Sequence, residues 1–368
     1  MSAAAQSSIS IELKPTTSPV AAAEREAVLR APGFGQHFTD HMVVIEWEQD
    51  RGWYDGVLRP YAPFSLDPAT AVIHYAQSIF EGYKAYRQPD GSIRTFRPDA
   101  NARRMQRSAQ RMALPGLPVD TFIEAGDTLI RTDNEWVPSA AGMSLYVRPF
   151  MFASDVFLGV RPGAHITFSV IASPAASYFG GGAKPVSIWL SQKYTRAAQG
   201  GTGAAKCSGN YAASLVAQRE ATAHGCDQVV FVDTVELKWV DELGGMNICF
   251  VFSDGRLVTP PTTGTILEGV TRASVLELAG DLGLKPEERP VSVDEWREGV
   301  ESGAISEVFA CGTAAVLTPI GELRWEGGQV DSAPGGVEGP VTAQLRDALT
   351  GIQTGTKPDA RGWMHQVC

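Results

Sequence analysis

Residues Gln199 to Leu215 read QGGTGAAKCSGNYAASL, one lysine set among glycines and small residues ahead of a predicted helix. Two chemistries compete for this stretch. A nucleotide phosphate loop needs Gly-Lys-Ser/Thr, so that the lysine reaches the terminal phosphates and the hydroxyl binds Mg²⁺. Here Lys206 follows Ala204-Ala205 and precedes Cys207, and Ser208 stands one position too late. The loop is therefore broken at two defining positions. The other chemistry makes Lys206 itself the reactive group, an amine that condenses with an aldehyde cofactor. Gly201, Gly203, Ala204, Ala205 and Gly209 leave room for a flat ring beside that amine. The chain has eight lysines, and a solvated surface group is the commonest fate of any of them, so small neighbours alone do not decide.

Length and composition narrow the field. At 368 residues, with 44% hydrophobic and 20% charged residues, the chain predicts two globular domains. A net charge of −10 argues against general nucleic-acid binding. The five cysteines, Cys207, Cys226, Cys249, Cys311 and Cys368, are odd in number and lack CxxC spacing. That predicts neither a metal site nor a disulfide framework, and a reducing compartment. No apolar run is long enough to span a bilayer. The N-terminus has neither a basic start nor an apolar core region, so no membrane partner and a cytoplasmic location are expected.

The organisation reads as follows. Residues 1–32, rich in Ala, Ser, Thr and Pro, form a loosely held arm with one short edge strand at SISIEL. A smaller domain occupies 33–174. It opens with hairpins at FTDHMVVIEWEQDRGWYDGVLRPY and at EGYKAYRQPDGSIRTFRP, the second turning at Asp90-Gly91. Helices follow, the first with Asp99 as its cap, the second carrying Phe122, Ala125, Leu129 and Ile130 at helical spacing. Strands SLYVRPFMFA and HITFSVIAS close this domain. Gly180, Gly181 and Gly182 mark a linker over 175–185. A larger domain takes 186–368 and includes Lys206. Hairpins and helices mix without strict alternation, so the fold class is α/β with mixed sheets and antiparallel content.

Three motifs occur in order: GTGAAKCSGNYAASL, DELGGMNICFVF at Asp241–Phe252 and ILEGVTR at Ile266–Arg272. With FTDHM, HYAQSIFEGYKAYR, RPDANARRMQRSA and SLYVRPF upstream, the chain resembles the fold type IV, class IV pyridoxal-phosphate aminotransferases, and among them the branched-chain amino-acid aminotransferases. The resemblance runs from about Gly33 to about Pro319. It implies a two-domain architecture with pyridoxal 5'-phosphate at the domain interface. Lys206 matches the Schiff-base lysine that also moves the Cα proton. Glu242 matches the carboxylate facing the pyridine nitrogen, where it keeps the ring cationic and electron-poor; on composition alone it would be an exposed hairpin acid. Tyr211 matches the phenol bonded to the cofactor's ring oxygen, although a helix aromatic is as often core. For the phosphate, Gly269, Val270 and Thr271 open a helix whose N–H groups favour an anion, Thr313 adds a second loop, and the register of NARRM selects Arg104 over Arg103. An Arg-Arg pair is otherwise usually helix surface charge.

On the substrate side the resemblance implies an apolar pocket for leucine, isoleucine or valine that also accepts glutamate and 2-oxo acids. Arg148 would serve the distal carboxylate. Tyr75, Phe80 and Tyr146 match pocket aromatics, with Phe34, Tyr178 and Val160 as fainter matches; core packing is the ordinary fate of such residues. Gly312, Thr313 and Ala314 would receive the α-carboxylate. Where some members carry a redox CxxC, this chain has Ala314, Ala315, Val316 and Leu317, so no thiol switch is expected there. A homodimer is implied. The alternatives are a D-amino-acid aminotransferase or an aminodeoxychorismate lyase of the same fold, and, more distantly, a nucleotide-binding phosphotransferase.

Overall fold

The computed structural model describes residues 9–176, 184–333 and 335–368. In chain order the elements are β1 (Ile11–Leu13), α1 (Ala22–Arg30), β2 (His41–Glu48), β3 (Gly52–Pro60), α2 (Ala71–Tyr75), β4 (Ser78–Phe80), β5 (Tyr83–Arg87), β6 (Ile93–Phe96), α3 (Pro98–Arg111), α4 (Val119–Thr132), β7 (Ser144–Ala153) and β8 (His165–Ala175). There follow β9 (Val186–Ser191), α5 (Ser208–Ala223), β10 (Gln228–Val232), β11 (Val240–Leu243), β12 (Asn247–Phe252), β13 (Arg256–Thr259), α6 (Val270–Asp281), β14 (Lys285–Glu288) and α7 (Val293–Ser302). The chain ends with β15 (Ile305–Gly312), β16 (Val316–Trp325), β17 (Gly328–Asp331), α8 (Pro340–Gln353) and β18 (Met364–Gln366).

Two compact units result. Among the described residues the first takes 9–176, Ala205–Ser208 and Ile352–Cys368, and the second takes 184–204 and Gly209–Gly351. The Gly180–Gly182 stretch read as a linker lies outside the described residues. Four residues around Lys206 thus group with the first unit, although their flanking chain belongs to the second.

The first unit is built on one sheet in the order β1-β3-β2-β8-β7-β5-β6-β18, with β4 paired to β7. It is antiparallel except for β1, which runs parallel to β3. Strands β7 and β8 stay in register over their length because apolar side chains alternate onto the buried face. Helices α3 and α4 bury Ala102, Met105 and Ala109, and Phe122, Ala125 and Leu129, in one core with Val43, Ile45, Val147 and Phe168. Helix α3 is not capped by Asp99. Arg97 is its N-cap, in the left-handed region, and Pro98 takes the first helical turn, because proline's fixed φ suits a position whose N–H needs no partner. Asp99 instead pairs with Arg103 one turn on.

The arm is tied down from Ile9 onward, contrary to the loose reading. Its composition hid α1 and two anchors, Thr16 N–H to His41 Nε2 at 2.9 Å and Val20 N–H to Asp40 Oδ1 at 2.8 Å. The second unit holds a sheet in the order β11-β10-β9-β16-β15-β12-β13-β14, with β17 on β16. Here β9 lies parallel to both β10 and β16, and β13 parallel to β14, while β12, β15 and β16 are antiparallel neighbours. Its core gathers Ile248, Phe250, Val308, Ala310, Ile320 and Trp296.

Candidate active site

In the first unit, Lys206 is fixed through its backbone. Its N–H donates to Ser108 Oγ of α3 at 2.9 Å, and its carbonyl accepts the Phe80 N–H at 3.0 Å. Cys207 forms an antiparallel bridge with Ile79, and Ser208 Oγ lies 2.5 Å from Ser78 Oγ. Ala205 and Cys207 are buried in the core to either side. The lysine's own side chain remains half-buried, its Nζ 4.8 Å from the centre of the Phe80 ring. A phosphate loop turns its N–H groups inward around an anion. Here the Lys206 N–H is taken by Ser108 and the Ala204 N–H by the Gly264 carbonyl. The nucleotide reading therefore falls.

Arg148, Tyr146, Phe80 and Phe34 form one group, linked to this lysine through the Phe80 ring. The Arg148 guanidinium sits 4.9 Å from the Phe80 ring and 5.2 Å from that of Tyr146, whose hydroxyl accepts Nη2 at 3.1 Å. Phe34 meets Tyr146 edge-on at 5.1 Å. A Cβ at Gly82 would lie 2.0 Å from the Tyr146 hydroxyl, so this glycine is what lets the phenol in. Tyr75 and Val160 belong to a second grouping. The Tyr75 hydroxyl donates to the Leu158 carbonyl at 2.6 Å and its ring stacks on Phe157, while Val160 is 89% exposed. Tyr178 lies outside the described residues.

Arg104 is buried, and its Nε and Nη2 both donate to Glu81 at 2.8 Å. Glu81 is wholly buried and also accepts from Asn101 Nδ2 at 2.8 Å. Burial pushes the Glu81 carboxyl up. The Arg104 charge and hydrogen bonds, the Lys206 charge and the Asn101 amide outweigh burial and hold it below the ordinary range.

In the second unit, Glu242 is buried on β11. Its Oε1 accepts the Leu267 N–H at 2.9 Å and lies 2.8 Å from Arg196 Nη1; its Oε2 accepts Asn247 Nδ2 at 3.3 Å. Asn247 also donates to the Leu267 carbonyl at 3.0 Å. A Cβ at Gly269 would lie 2.0 Å from Asn247 Oδ1, so only glycine permits this approach. Gly269 is the N-cap of α6, and no side chain caps that helix; Val270 and Thr271 form its first turn. Tyr211 is half-buried on α5, 3.8 Å from the Cβ position of Gly245. Gly312 pairs with Val316 across the turn of Thr313, Ala314 and Ala315. Val316 holds φ +61°, a costly conformation for a β-branched residue.

A cavity of about 280 Å³ in the second unit is walled by Trp239, Pro260, Ile266, Thr265, Asp233 and Asp241, among others. It is lined by Gln199, Asp241 and Ile266, the first residues of the Lys206 stretch and of the other two motifs, and by none of the cofactor or substrate residues read from the sequence. Among the described residues no cluster suited to a metal ion occurs, and no helix is long and apolar enough to cross a membrane.

A model of the family described as amino-transferase class IV matches residues 78–323. The chain is 59% identical to a probable branched-chain-amino-acid aminotransferase of Streptomyces coelicolor, over 97% of this chain and 98% of that one. This chain belongs to the class IV aminotransferases. Within that family it groups with the branched-chain-amino-acid aminotransferases. The branched-chain enzyme of Escherichia coli superposes with a TM-score of 0.71 at 31% identity, covering 88% of this chain and 99% of that one. The branched-chain amino acid aminotransferase of Thermobaculum terrenum, solved in its PLP-form, gives a TM-score of 0.73 at 25% identity, covering 90% of this chain and 100% of that one.

The cofactor of this class IV aminotransferase is pyridoxal phosphate, and the residues present fit it. The α6 N-terminus offers backbone N–H groups with no side-chain cap, behind a glycine that no other residue can replace without a clash. Glu242 is a buried carboxylate that faces a guanidinium and two further donors. Arg148 Nε and Arg196 Nε are buried without partners, donors suited to anions. Three side chains that hold the predicted site residues went unweighed in the sequence: Glu81, Arg196 and Asn247. Glu81 lies between Phe80 and Gly82 in an apolar run, and a charge so placed signals a buried partner.

Proposed function

We propose that this chain transfers the amino group of L-leucine, L-isoleucine or L-valine to 2-oxoglutarate, reversibly, giving branched-chain 2-oxo acids and L-glutamate. The observation that carries this reading is Lys206 itself. It is the lysine of the family motif, clamped by Phe80 and Ser108, with its amine against the aromatic ring that Arg148 also approaches.

Lys206, Glu242, Tyr211, Arg104, Gly269, Val270, Thr271 and Thr313 would hold the cofactor. When bound, pyridoxal phosphate supplies an aldehyde for covalent attachment and an electron-poor ring that stabilises charge left on the substrate's Cα. Lys206 Nζ would serve as the base for the proton at the substrate's Cα. Glu242, paired with Arg196 and Asn247, would face the ring nitrogen and favour its protonated form. Tyr211 would serve the ring oxygen as a donor. Arg148, already oriented by the Tyr146 hydroxyl, binds the distal carboxylate of glutamate, and the Phe80 and Tyr146 rings flank an aliphatic side chain. The small-residue turn at Gly312–Ala314 receives the α-carboxylate through its N–H groups.

We further infer a cytoplasmic homodimer. Ile73, Val156, Leu158 and Val160 are large apolar residues left exposed. The Tyr75 hydroxyl ties α2 to the loop that carries Leu158. Such a patch favours burial against a second copy. Domain limits near 33–174 and 186–368, with the linker between them, belong to this reading.

The test begins with an absorption spectrum of the purified protein, then borohydride reduction and peptide mapping, then turnover of L-leucine and D-alanine. A yellow protein labelled on Lys206 and active on L-leucine is expected. Label on another lysine, or activity confined to D-alanine, overturns the reading. A monomer with full activity overturns the dimer.

A further inference from the structure

In the second unit the hairpin of β10 and β11 and the segment from Pro260 to Ile266 wall the cavity of about 280 Å³. That size stands at the small end of ligand pockets, room for a compact organic molecule and too little for a peptide. The walls are fixed before anything binds. The Asp233 carboxylate accepts four backbone N–H groups of the hairpin tip at 2.7–3.0 Å, those of Val235 and Glu236 on Oδ2 and those of Lys238 and Trp239 on Oδ1. Leu237, inside that tip, is held at φ +52°, a conformation that persists only where the surroundings over-determine it. Pro260, Pro261 and Pro290 stiffen the wall elsewhere. A cavity formed in advance loses little entropy when a ligand enters.

The lining selects the chemistry of that ligand. Trp239, Val240 and Ile266 join the prolines as apolar surface, and among the described residues no Lys, Arg or His lines the cavity. The two charged side chains that do are carboxylates, Asp233 and Asp241. Asp233 is taken up by the hairpin N–H groups. Asp241 accepts one hydrogen bond, from Thr265 Oγ1 at 3.3 Å, of the several that a carboxylate can take. The cations nearby are turned elsewhere: Lys238 Nζ lies 4.6 Å from the centre of the Trp239 ring, and Arg196 is engaged by Glu242 and the Thr265 carbonyl. A carboxylate or phosphate would meet two anions here and no partner. That disfavours the 2-oxo acids, the cofactor and the amino acids, whose ammonium group always comes with a carboxylate.

We propose that this cavity is a second ligand site, taking a small monocation whose ammonium group donates to Asp241 and whose compact apolar body packs against Trp239 and Ile266. The site goes beyond the proposed transamination and does not rest on it. One residue joins the two regions. Thr265 donates its hydroxyl to Asp241 and accepts Arg196 Nη1 on its carbonyl at 3.1 Å, and that nitrogen lies 2.8 Å from Glu242 Oε1. Burial raises the Asp241 carboxyl to about 6, with Thr265 and Arg196 opposing the rise and the Asp233 charge adding to it. An ammonium ion is therefore held best above that pH.

The probe is N,N-dimethyl-2-phenylethylamine, a tertiary amine that cannot condense with an aldehyde, so the holoenzyme is used as it stands. It is titrated by calorimetry beside 2-phenylethanol, which has the same ring and chain without the charge, and 3-phenylpropanoate, which carries the opposite charge. At pH 7.5 the amine should bind about tenfold more tightly than the alcohol, through one charge-assisted hydrogen bond, and the acid more weakly than either. Lowering the pH to 5 should weaken the amine about tenfold and leave the alcohol unmoved, because Asp241 takes up a proton over that range. An amine that binds no better than the alcohol, or that keeps its affinity at pH 5, overturns the proposal.

Two variants place the probe, with thermal melts to establish that each folds. Asp241→Asn should bring the amine to the level of the alcohol and change the alcohol by less than about twofold. Thr263→Trp, on the exposed part of the wall, should fill the space and block amine and alcohol alike. If Asp241→Asn fails to fold, Thr263→Trp and the pH dependence of the wild type decide. Affinity unchanged in Thr263→Trp puts the probe elsewhere and overturns the site. Affinity lost in Thr263→Trp and kept in Asp241→Asn overturns the assignment of an ammonium ligand.

Discussion

Each unit of the molecule buries an arginine–carboxylate pair, and the two pairs are joined differently. In the first unit Glu81 takes two nitrogens of Arg104, Nε and Nη2, and accepts also from Asn101 and the Gly82 N–H. In the second unit Glu242 lies against one nitrogen of Arg196, Nη1, which donates also to the Thr265 carbonyl, and it accepts from the Leu267 N–H and the Asn247 amide. In both pairs the carboxylate collects further donors; the difference is that the fork of Arg104 fixes its guanidinium against Glu81, whereas Glu242 is held as much by an amide and a backbone N–H as by its arginine. Each buried charge faces an opposite one, which avoids the strongly unfavourable state of an isolated buried charge.

The sharpest way to break this comparison is to remove Arg196. Arg196→Met leaves Glu242 buried without its cation. It should lower the stability of the apoprotein by about 3–5 kcal/mol, read as a drop in urea midpoint. Glu242→Gln on its own should cut kcat for L-leucine by about 10²–10³-fold, because on the proposed reading Glu242 is the group that would keep the ring cationic. Combining the two should restore part of the stability and none of the activity, since the carboxyl that needed Arg196 is gone. If the double variant is no more stable than Arg196→Met, Arg196 does not stabilise the fold through Glu242.

A smaller effect is expected at Gly269. A methyl group there meets Asn247 Oδ1, and Asn247 ties Glu242 to the Leu267 carbonyl. Gly269→Ala should cost about 1–3 kcal/mol of stability as the amide is displaced. Loss of affinity for pyridoxal phosphate should accompany it, since the same shift moves the first turn of α6. Affinity unchanged alongside a lowered melting temperature would separate Gly269 from the phosphate.

How much of this was legible in the sequence follows from distance along the chain. Lys206, Glu242 and the α6 start each sit in a short motif that can be read along the chain, and Asp90-Gly91 announced the β5–β6 turn. Strands β7 and β8 were legible from their own apolar patterning. The buried partners Glu81 and Arg196 were not. Glu81 and Arg104 are 23 residues apart, and Arg196 and Glu242 lie further apart still, so no local pattern joins them. Helix α1 was missed because an alanine-rich arm between prolines reads as loose until Asp40 and His41 are known to anchor it. The Lys206 segment read as part of the larger domain because the chain runs through that domain on both sides. Its grouping with the first unit depends on Ser108 and Phe80, which only the fold brings to it.

The mildest way to sharpen the comparison lies next to Glu242, at Asp241. The two acids are adjacent on β11, and Glu242 is the one that holds a buried ion pair. Asp241 accepts a hydrogen bond from Thr265 Oγ1 at 3.3 Å, at the wall of the apolar cavity. Burial pushes its carboxyl up to about 6; the Asp233 charge adds to this, and Thr265 and Arg196 pull against it. A carboxyl raised in the folded state holds its proton to higher pH there than in the unfolded chain. Its contribution to stability is therefore full below about pH 4 and is lost as pH rises to about 6. Asp241→Asn removes that dependence while leaving a hydrogen-bonding group in place. Urea midpoints taken between pH 4 and pH 7 should fall more in the wild type than in Asp241→Asn, with the gap between the two constant above about pH 6. Parallel curves would mean that Asp241 titrates as an exposed acid, and that adjacency on β11 does not separate a paired carboxylate from an unpaired one.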